Sequence, residues 1–156
     1  MYQKIMVPLD GSELAECVLP HVAAIAKGCS VKNVIFVRVV EPFSLPPGTA
    51  IILSEEDMKR IDSRNSTEAK DYLKQVVSQL KYDGINVQSE IIVGKPAESI
   101  ADYATKNEVD LIAIATHGRS GVSRWVMGSV ADRVLRSSCV PVLMVRAPGC
   151  ILGIQG

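Results

Sequence analysis

Ala115-Thr116-His117-Gly118-Arg119-Ser120-Gly121-Val122-Ser123-Arg124-Trp125-Val126-Met127-Gly128-Ser129 is the stretch on which the reading of the fold turns. Before it stands Val109-Asp110-Leu111-Ile112-Ala113-Ile114, a short apolar run of the kind that forms buried strands. After it Val130-Ala131-Asp132-Arg133-Val134-Leu135 has helical spacing, and Val140-Pro141-Val142-Leu143-Met144-Val145 returns to a strand pattern. A glycine-bearing loop thus leaves a strand and ends where Gly128-Ser129 opens a helix. The first N–H groups of a helix have no intrahelical partner, and the helix dipole favours an anion beside them. Glycine lets phosphate oxygens approach without meeting a Cβ. The loop therefore predicts a phosphate-bearing ligand, in the first place a nucleotide.

Working outward, five runs read as strands: Lys4–Pro8, Asn33–Val40, Asn86–Val93, Asp110–Ala115 and Pro141–Arg146. They are nearly continuous in apolar character, which predicts strands buried on both faces. Helical patterns separate them. The first begins at Ser12, a good N-cap, and runs toward Lys27-Gly28, with Pro20 expected to kink or end it. The second follows the loop Pro42–Leu53. It is capped by Ser54-Glu55-Glu56-Asp57 and carries Met58, Ile61, Ala69, Leu73, Val76 and Leu80 at helical spacing. The third begins at Pro96-Ala97-Glu98 and places Ile100, Ala101 and Ala104 on one side. The fourth begins at Ser129. The order β-α-β-α-β-α-β-α-β predicts right-handed crossovers and one α/β domain, a doubly wound five-stranded parallel sheet of Rossmann-like type.

The composition agrees with that architecture. The chain has 156 residues, enough to bury a sizeable core, and is 47% apolar but only 4% aromatic. Seventeen basic residues balance seventeen acidic ones, giving a formal net charge of zero and no electrostatic case for nucleic acid or a membrane surface. No apolar run approaches the length of a membrane span, and the opening Met1–Pro8 is too short for a signal peptide. Cys17, Cys29, Cys139 and Cys150 have no CxxC or zinc spacing. Reduced thiols in a cytoplasmic protein are expected, with Cys17 and Cys139 as small buried hydrophobes among helical residues. The tail Ala147–Gly156 is expected to be an irregular extension, so that the domain covers 1–147 and the tail 148–156. Its Ile151, Leu152 and Ile154 hint weakly at docking on a partner subunit.

In an open α/β sheet, ligands lie beyond the carboxyl ends of the strands, where the strand order reverses. Three exits qualify: Pro8-Leu9-Asp10-Gly11-Ser12, Val39-Val40-Glu41-Pro42, and the glycine loop. The first also reads simply as a turn and a helix cap. The Walker spacing GxxxxGK[ST] is missing, and Asp10-Gly11-Ser12 has too few glycines for the dinucleotide fingerprint GxGxxG.

From Tyr2 to Arg146 the chain resembles the universal stress proteins. Lys4-Ile5-Met6-Val7-Pro8-Leu9-Asp10-Gly11-Ser12 is similar to that family's first strand and turn, and Val93-Gly94-Lys95-Pro96-Ala97-Glu98 to its third-strand exit. The family's ATP-binding signature G-x2-G-x9-G-[ST] aligns as Ala115-x2-Gly118-x9-Gly128-Ser129, with alanine at the first glycine. The resemblance implies ATP or a similar adenine nucleotide as cofactor. Pro8, Leu9 and Asp10 would flank adenine and ribose, and Val39 would meet the adenine edge. Gly118, Arg119, Gly128, Ser129 and Val130 would hold ribose and phosphates. Three phosphates need charge neutralisation, which points to Mg²⁺ or Mn²⁺ carried by the nucleotide, since no Asp/Glu cluster near the glycine loop suggests a protein cage. The resemblance also implies a homodimer through Pro141–Arg146. That last strand reads independently as an apolar sheet edge without a charge to block pairing.

Several readings stay open at this level. Ala115 carries a cost if its φ is positive and none if its backbone is strand-like. Ser129 can cap its helix or meet phosphate. Arg119 and Arg124 can pair with phosphate oxygens or stand in solvent. His21 reads as structural, and His117 can touch a phosphate but has no nucleophile, base or acid around it. The HxGH motif and the SGGxDS loop of other nucleotide-handling chains of this fold are missing. The expected function is a nucleotide-dependent regulatory module for stress responses, acting on an unknown protein partner. The alternatives are a weak ATPase, in which only Asp10 offers a base, and a nucleotide-free interaction protein.

Overall fold

Five parallel strands form one sheet in the order β3-β2-β1-β4-β5. They are β1 (Lys4–Pro8), β2 (Asn33–Val40), β3 (Asn86–Val93), β4 (Leu111–Ala115) and β5 (Val142–Val145). The helices are α1 (Glu13–Glu16), α2 (Leu19–Gly28), α3 (Glu55–Gln79), α4 (Pro96–Lys106) and α5 (Ser129–Ser137). The computed structural model describes residues 2–45, 47–48, 53–80, 84–116 and 129–146. The tail 148–156 therefore lies outside the described residues, as do Pro46, Gly118, Arg119, Arg124, His117, Gly128 and Cys150.

The sheet divides the interior into two apolar layers because successive side chains alternate across it. Ile5, Val7, Val34, Phe36, Leu111 and Ala113 pack with Ala15 of α1, Val22 and Ala26 of α2, and Leu73 and Val76 of α3. Met6, Ile35, Val37, Ile112 and Ile114 pack on the other face with Ala97, Ile100 and Ala104 of α4 and Ala131 and Val134 of α5. Helices on both faces make the sheet doubly wound, as the alternating pattern predicts. An ion pair between Arg133 of α5 and Glu98 of α4 links the two helices at the surface.

The helix signals act as local chemistry requires. The Ser12 hydroxyl accepts from the Ala15 N–H at 3.2 Å, and the Ser54 hydroxyl accepts from the Asp57 N–H at 3.1 Å. The stretch from Ser12 to Gly28 is broken into α1 and α2 just ahead of Pro20, which occupies the first turn of α2 and has no N–H to lose there.

The structure departs from several details of these expectations. β3 is not buried on both faces: it is an edge strand, and Val93 at its end is 64% exposed. β5 is the other edge, as its uncharged apolar pattern predicts, and it is mostly half-buried rather than covered on both faces. Cys139 stands exposed beyond the end of α5. Cys17, in the break between α1 and α2, does pack half-buried against the first apolar layer, and burial pushes its thiol pKa up. His21 is exposed on α2 and joins neither apolar layer.

Asp110, expected inside the fourth strand, instead precedes it and turns its carboxylate to the start of β1. Its Oδ2 accepts from the Gln3 N–H at 2.8 Å and the Lys4 N–H at 2.9 Å, while its own N–H donates to the Lys4 carbonyl at 2.9 Å. These two backbone bonds hold its carboxyl below the ordinary carboxylate range, against a smaller opposing effect of burial. A depressed folded-state pKa means that the ionised form stabilises the fold. That contribution is complete above the unfolded value of about 3.9 and is lost as pH falls through the folded value. Asp110→Asn is expected to cost about 1 kcal/mol at pH 7, seen as a fall of a few degrees in melting temperature. The gap to the parent protein should close below about pH 4. Thermal melts across pH check this, and a gap that is the same at every pH would count against it.

Candidate functional site

The carboxyl ends of β1, β2 and β4 lie side by side in the middle of the sheet. β1 stays paired with β2 through Pro8–Val37, and the Leu9 N–H extends the ladder to the Val37 carbonyl at 2.8 Å. On its other side β1 pairs with β4 only at Ile5–Leu111 and Met6–Ile112. The chain crosses to β2 on one side of β1 and returns as β4 on the other, so the strand order reverses between β1 and β4. Such a switch point leaves a crevice at the carboxyl ends of the strands.

Several of the candidate residues lie at or near these strand ends. Pro8 and Leu9 are buried at the end of β1. Asp10 follows, half-buried, and its Oδ1 accepts from the Ser12 N–H at 2.9 Å and the Ser12 hydroxyl at 2.6 Å. This Asx turn bends the chain away from the sheet and into α1. Gly11 at its centre has φ +86°, a conformation that glycine adopts without a Cβ penalty. Val39 lies near the end of β2, opposite Ile92 of β3, and packs against the α4/α5 layer. At the exit of β3, Gly94 donates to the Val40 carbonyl at 3.0 Å with φ +154°, and a Cβ there would come within 2.5 Å of the Ser99 hydroxyl.

Ala115 is the last residue of β4. It is paired with Val145 and 8% exposed, and the next N–H, of Thr116, donates to the Val145 carbonyl at 2.8 Å. Among the described residues only Ser30 and Glu108 are non-glycines with positive φ. Ala115 therefore has ordinary strand backbone, and its methyl carries no conformational cost. Ser129 is the first residue of α5, and Val130 packs half-buried into the α4/α5 layer.

Three neighbours of the first exit were not among the candidate residues: Arg38, Tyr72 and Glu16. The Arg38 guanidinium stacks over the Tyr72 ring at 5.3 Å from its centroid, and the Tyr72 hydroxyl donates to Glu16 Oε1 at 2.9 Å. Burial, the bond to Glu16, and the charges of Glu16 and Asp10 push the Tyr72 pKa well up, with Arg38 pulling the other way. The available sequence signal was a cation inside the apolar run Val34-Ile35-Phe36-Val37-Arg38-Val39-Val40. Its partner in α3 is 34 positions away and could not be read from spacing.

A five-stranded parallel sheet with helices on both faces and a switch point between β1 and β4 defines a Rossmann-like α/β fold. Residues 1–146 match the model of the Universal stress protein family. The universal stress protein MJ0531 of Methanocaldococcus jannaschii is 34% identical over 150 residues, spanning 95% of this chain and 84% of that one. The solved structure of MJ0577, from the same archaeon, superimposes with a TM-score of 0.82 at 32% identity, covering 96% of this chain and 99% of that one. A universal stress protein family protein of Arabidopsis thaliana, solved with AMP bound, has a TM-score of 0.64 at 16% identity, covers 94% of this chain and 93% of that one, and bears on the fold alone. The chain belongs to the universal stress protein family.

Proposed function

We propose that the chain is an ATP-binding regulatory module of the stress response, whose nucleotide state is read by a protein partner. The reading is supported by the Asp10-Gly11-Ser12 turn, the end of β2 at Val39 and the strand-like Ala115, which stand at the carboxyl ends of the three central strands, with α5 opening at Ser129. Adenine and ribose fit the side formed by Pro8, Leu9, Asp10 and Val39. Gly118, Arg119, Gly128, Ser129 and Val130 would take the phosphates, since a helix start supplies unpaired N–H groups. Proteins of this fold have been solved with AMP and with cAMP bound, the Arabidopsis protein and another universal stress protein.

Metal enters with the nucleotide. Among the described residues no group of three or more His, Cys, Asp or Glu is placed to hold an ion. Of the described site residues only Asp10 offers a base, so slow turnover at most is expected. Among the described residues no helix is long and apolar enough to cross a membrane, and Cys17, Cys29 and Cys139 are free thiols, which suits a protein of the cytoplasm. The β5 edge, with Val142, Leu143 and Met144 half-buried and uncharged, supports a homodimer formed through Pro141–Arg146.

One preparation tests the reading. Protein purified without added nucleotide is denatured, and the supernatant is run on ion-exchange chromatography. ATP or ADP in near-stoichiometric amount is expected, and sedimentation of the native sample should give a dimer. No nucleotide, together with no thermal shift in added Mg-ATP, would sink the proposal. Turnover above roughly 1 per second would place the chain among ordinary enzymes instead.

A further inference from the structure

Arg38 is the one cation in a strand otherwise built from Asn33 and apolar side chains, and its surroundings are specific. A Cβ built on Gly11 would lie 3.0 Å from Arg38 Nη1, 3.1 Å from Cζ and 3.2 Å from Nη2. Three nearly equal distances mean that the guanidinium turns its flat face, not its edge, to Gly11. The same group stacks on the Tyr72 ring, and Tyr72 is tied by its hydroxyl to Glu16 at the end of α1. β2, α3 and α1 therefore meet on the turn that follows β1. Asp10 shares that neighbourhood, because its charge and that of Arg38 both act on the Tyr72 hydroxyl.

We infer that Arg38, clamped on Tyr72, is a positioning residue that fixes the Asp10-Gly11-Ser12 turn and thereby sets affinity for the nucleoside end of an adenine nucleotide. The inference rests on the nucleotide-binding reading above. Its physical basis is shape as much as charge. A planar guanidinium fills the slot between an aromatic ring and a bare Cα, and a flexible ammonium cannot. Gly11 is held at positive φ and has no side chain, so beside the Asp10–Ser12 bonds it is the guanidinium packed on Gly11 that holds the middle of the turn. With the slot empty, the turn samples more conformations, and a ligand that needs one of them binds more weakly in proportion to the lost population.

The experiment compares ATP with adenosine by titration calorimetry on the full chain, using Arg38→Met, Arg38→Lys, Tyr72→Phe and the unaltered protein. Arg38→Met is expected to weaken both ligands by the same factor, about 10-fold, because the effect passes through the turn and not through phosphate. Arg38→Lys keeps the charge and should fall close to Arg38→Met. Tyr72→Phe keeps the ring under the guanidinium and should stay within about 2-fold of the parent. The Gly11 amide resonance in a ¹⁵N–¹H spectrum should move in both Arg38 variants, which also reports that the fold persists. Unchanged affinity in Arg38→Met, or a loss confined to ATP, overturns the inference while leaving the nucleotide reading intact. Failure of the unaltered protein to bind either ligand overturns that reading, and the inference with it.

Discussion

Gly128→Val is expected to reduce ATP affinity by at least about 100-fold, equivalent to about 2.7 kcal/mol. Gly128 is the residue immediately before α5, which begins at Ser129. The first N–H groups of that helix have no carbonyl partners within it, and the aligned peptide dipoles put partial positive charge at the same end. If phosphate oxygens lie there, they need the space that a hydrogen leaves on the Cα of Gly128. A branched Cβ would fill it, and the loss would fall on binding. Calorimetric titration with Mg-ATP measures the effect, and circular dichroism with a melt confirms that the variant is folded. Gly128→Ala, with one methyl, should give an intermediate loss. A folded Gly128→Val protein with parental affinity would place the phosphates elsewhere.

Phe36→Ala should cost about 3–5 kcal/mol of folding stability. Phe36 is fully buried in the middle of β2, on the face covered by α1, α2 and α3, and is among the largest side chains with no exposure. Its ring fills the layer between strands and helices in a chain with only two phenylalanines. Truncation removes the transfer energy of the ring and leaves a cavity that β2, paired on both sides, cannot close. A loss of that size is a large share of the roughly 5–15 kcal/mol that holds a domain folded, and the melting temperature should fall by about 10 °C or more. Val93→Thr, at the exposed end of β3, provides the contrast: its cost should stay within about 0.5 kcal/mol. Equal losses at the two positions would contradict the two-layer core.

Much of the fold was legible because much of it is local. The bounds of β1, β2 and β3 agree with those expected from their apolar runs, and the last two strands are each shorter than expected only at their ends. Ser12 and Ser54 cap helices because a hydroxyl reaches an N–H three residues on. Pro20 separates α1 from α2 because it lacks an N–H wherever it stands. The candidate site was legible in the same measure. Asp10 builds its turn with a partner two residues away, and the glycine spacing from Ala115 to Ser129 is a property of one segment.

What failed was part of what the apolar runs were taken to say about cover: β1 and β4 are buried as expected, while other positions are not. The apolar run of β3 looked like an inner strand, yet β3 stands at an edge because the chain crosses back over β2 and β1 before laying down β4. Cys139 was expected in a helix interior, but α5 stops at Ser137 and leaves it exposed.

The sequence by itself determined the elements, their caps, the alternation that demands helices on both faces, and the family to which the chain belongs. Those depend on interactions spanning a few residues, or on motifs read in order. The tertiary structure alone decided the strand order, the strand-like backbone that makes Ala115 harmless, the grip of Asp110 on the start of β1 from 107 residues away, and the Tyr72–Glu16 bond across 56. Contacts of that kind have no period and no spacing. They exist only once crossovers have brought distant segments together.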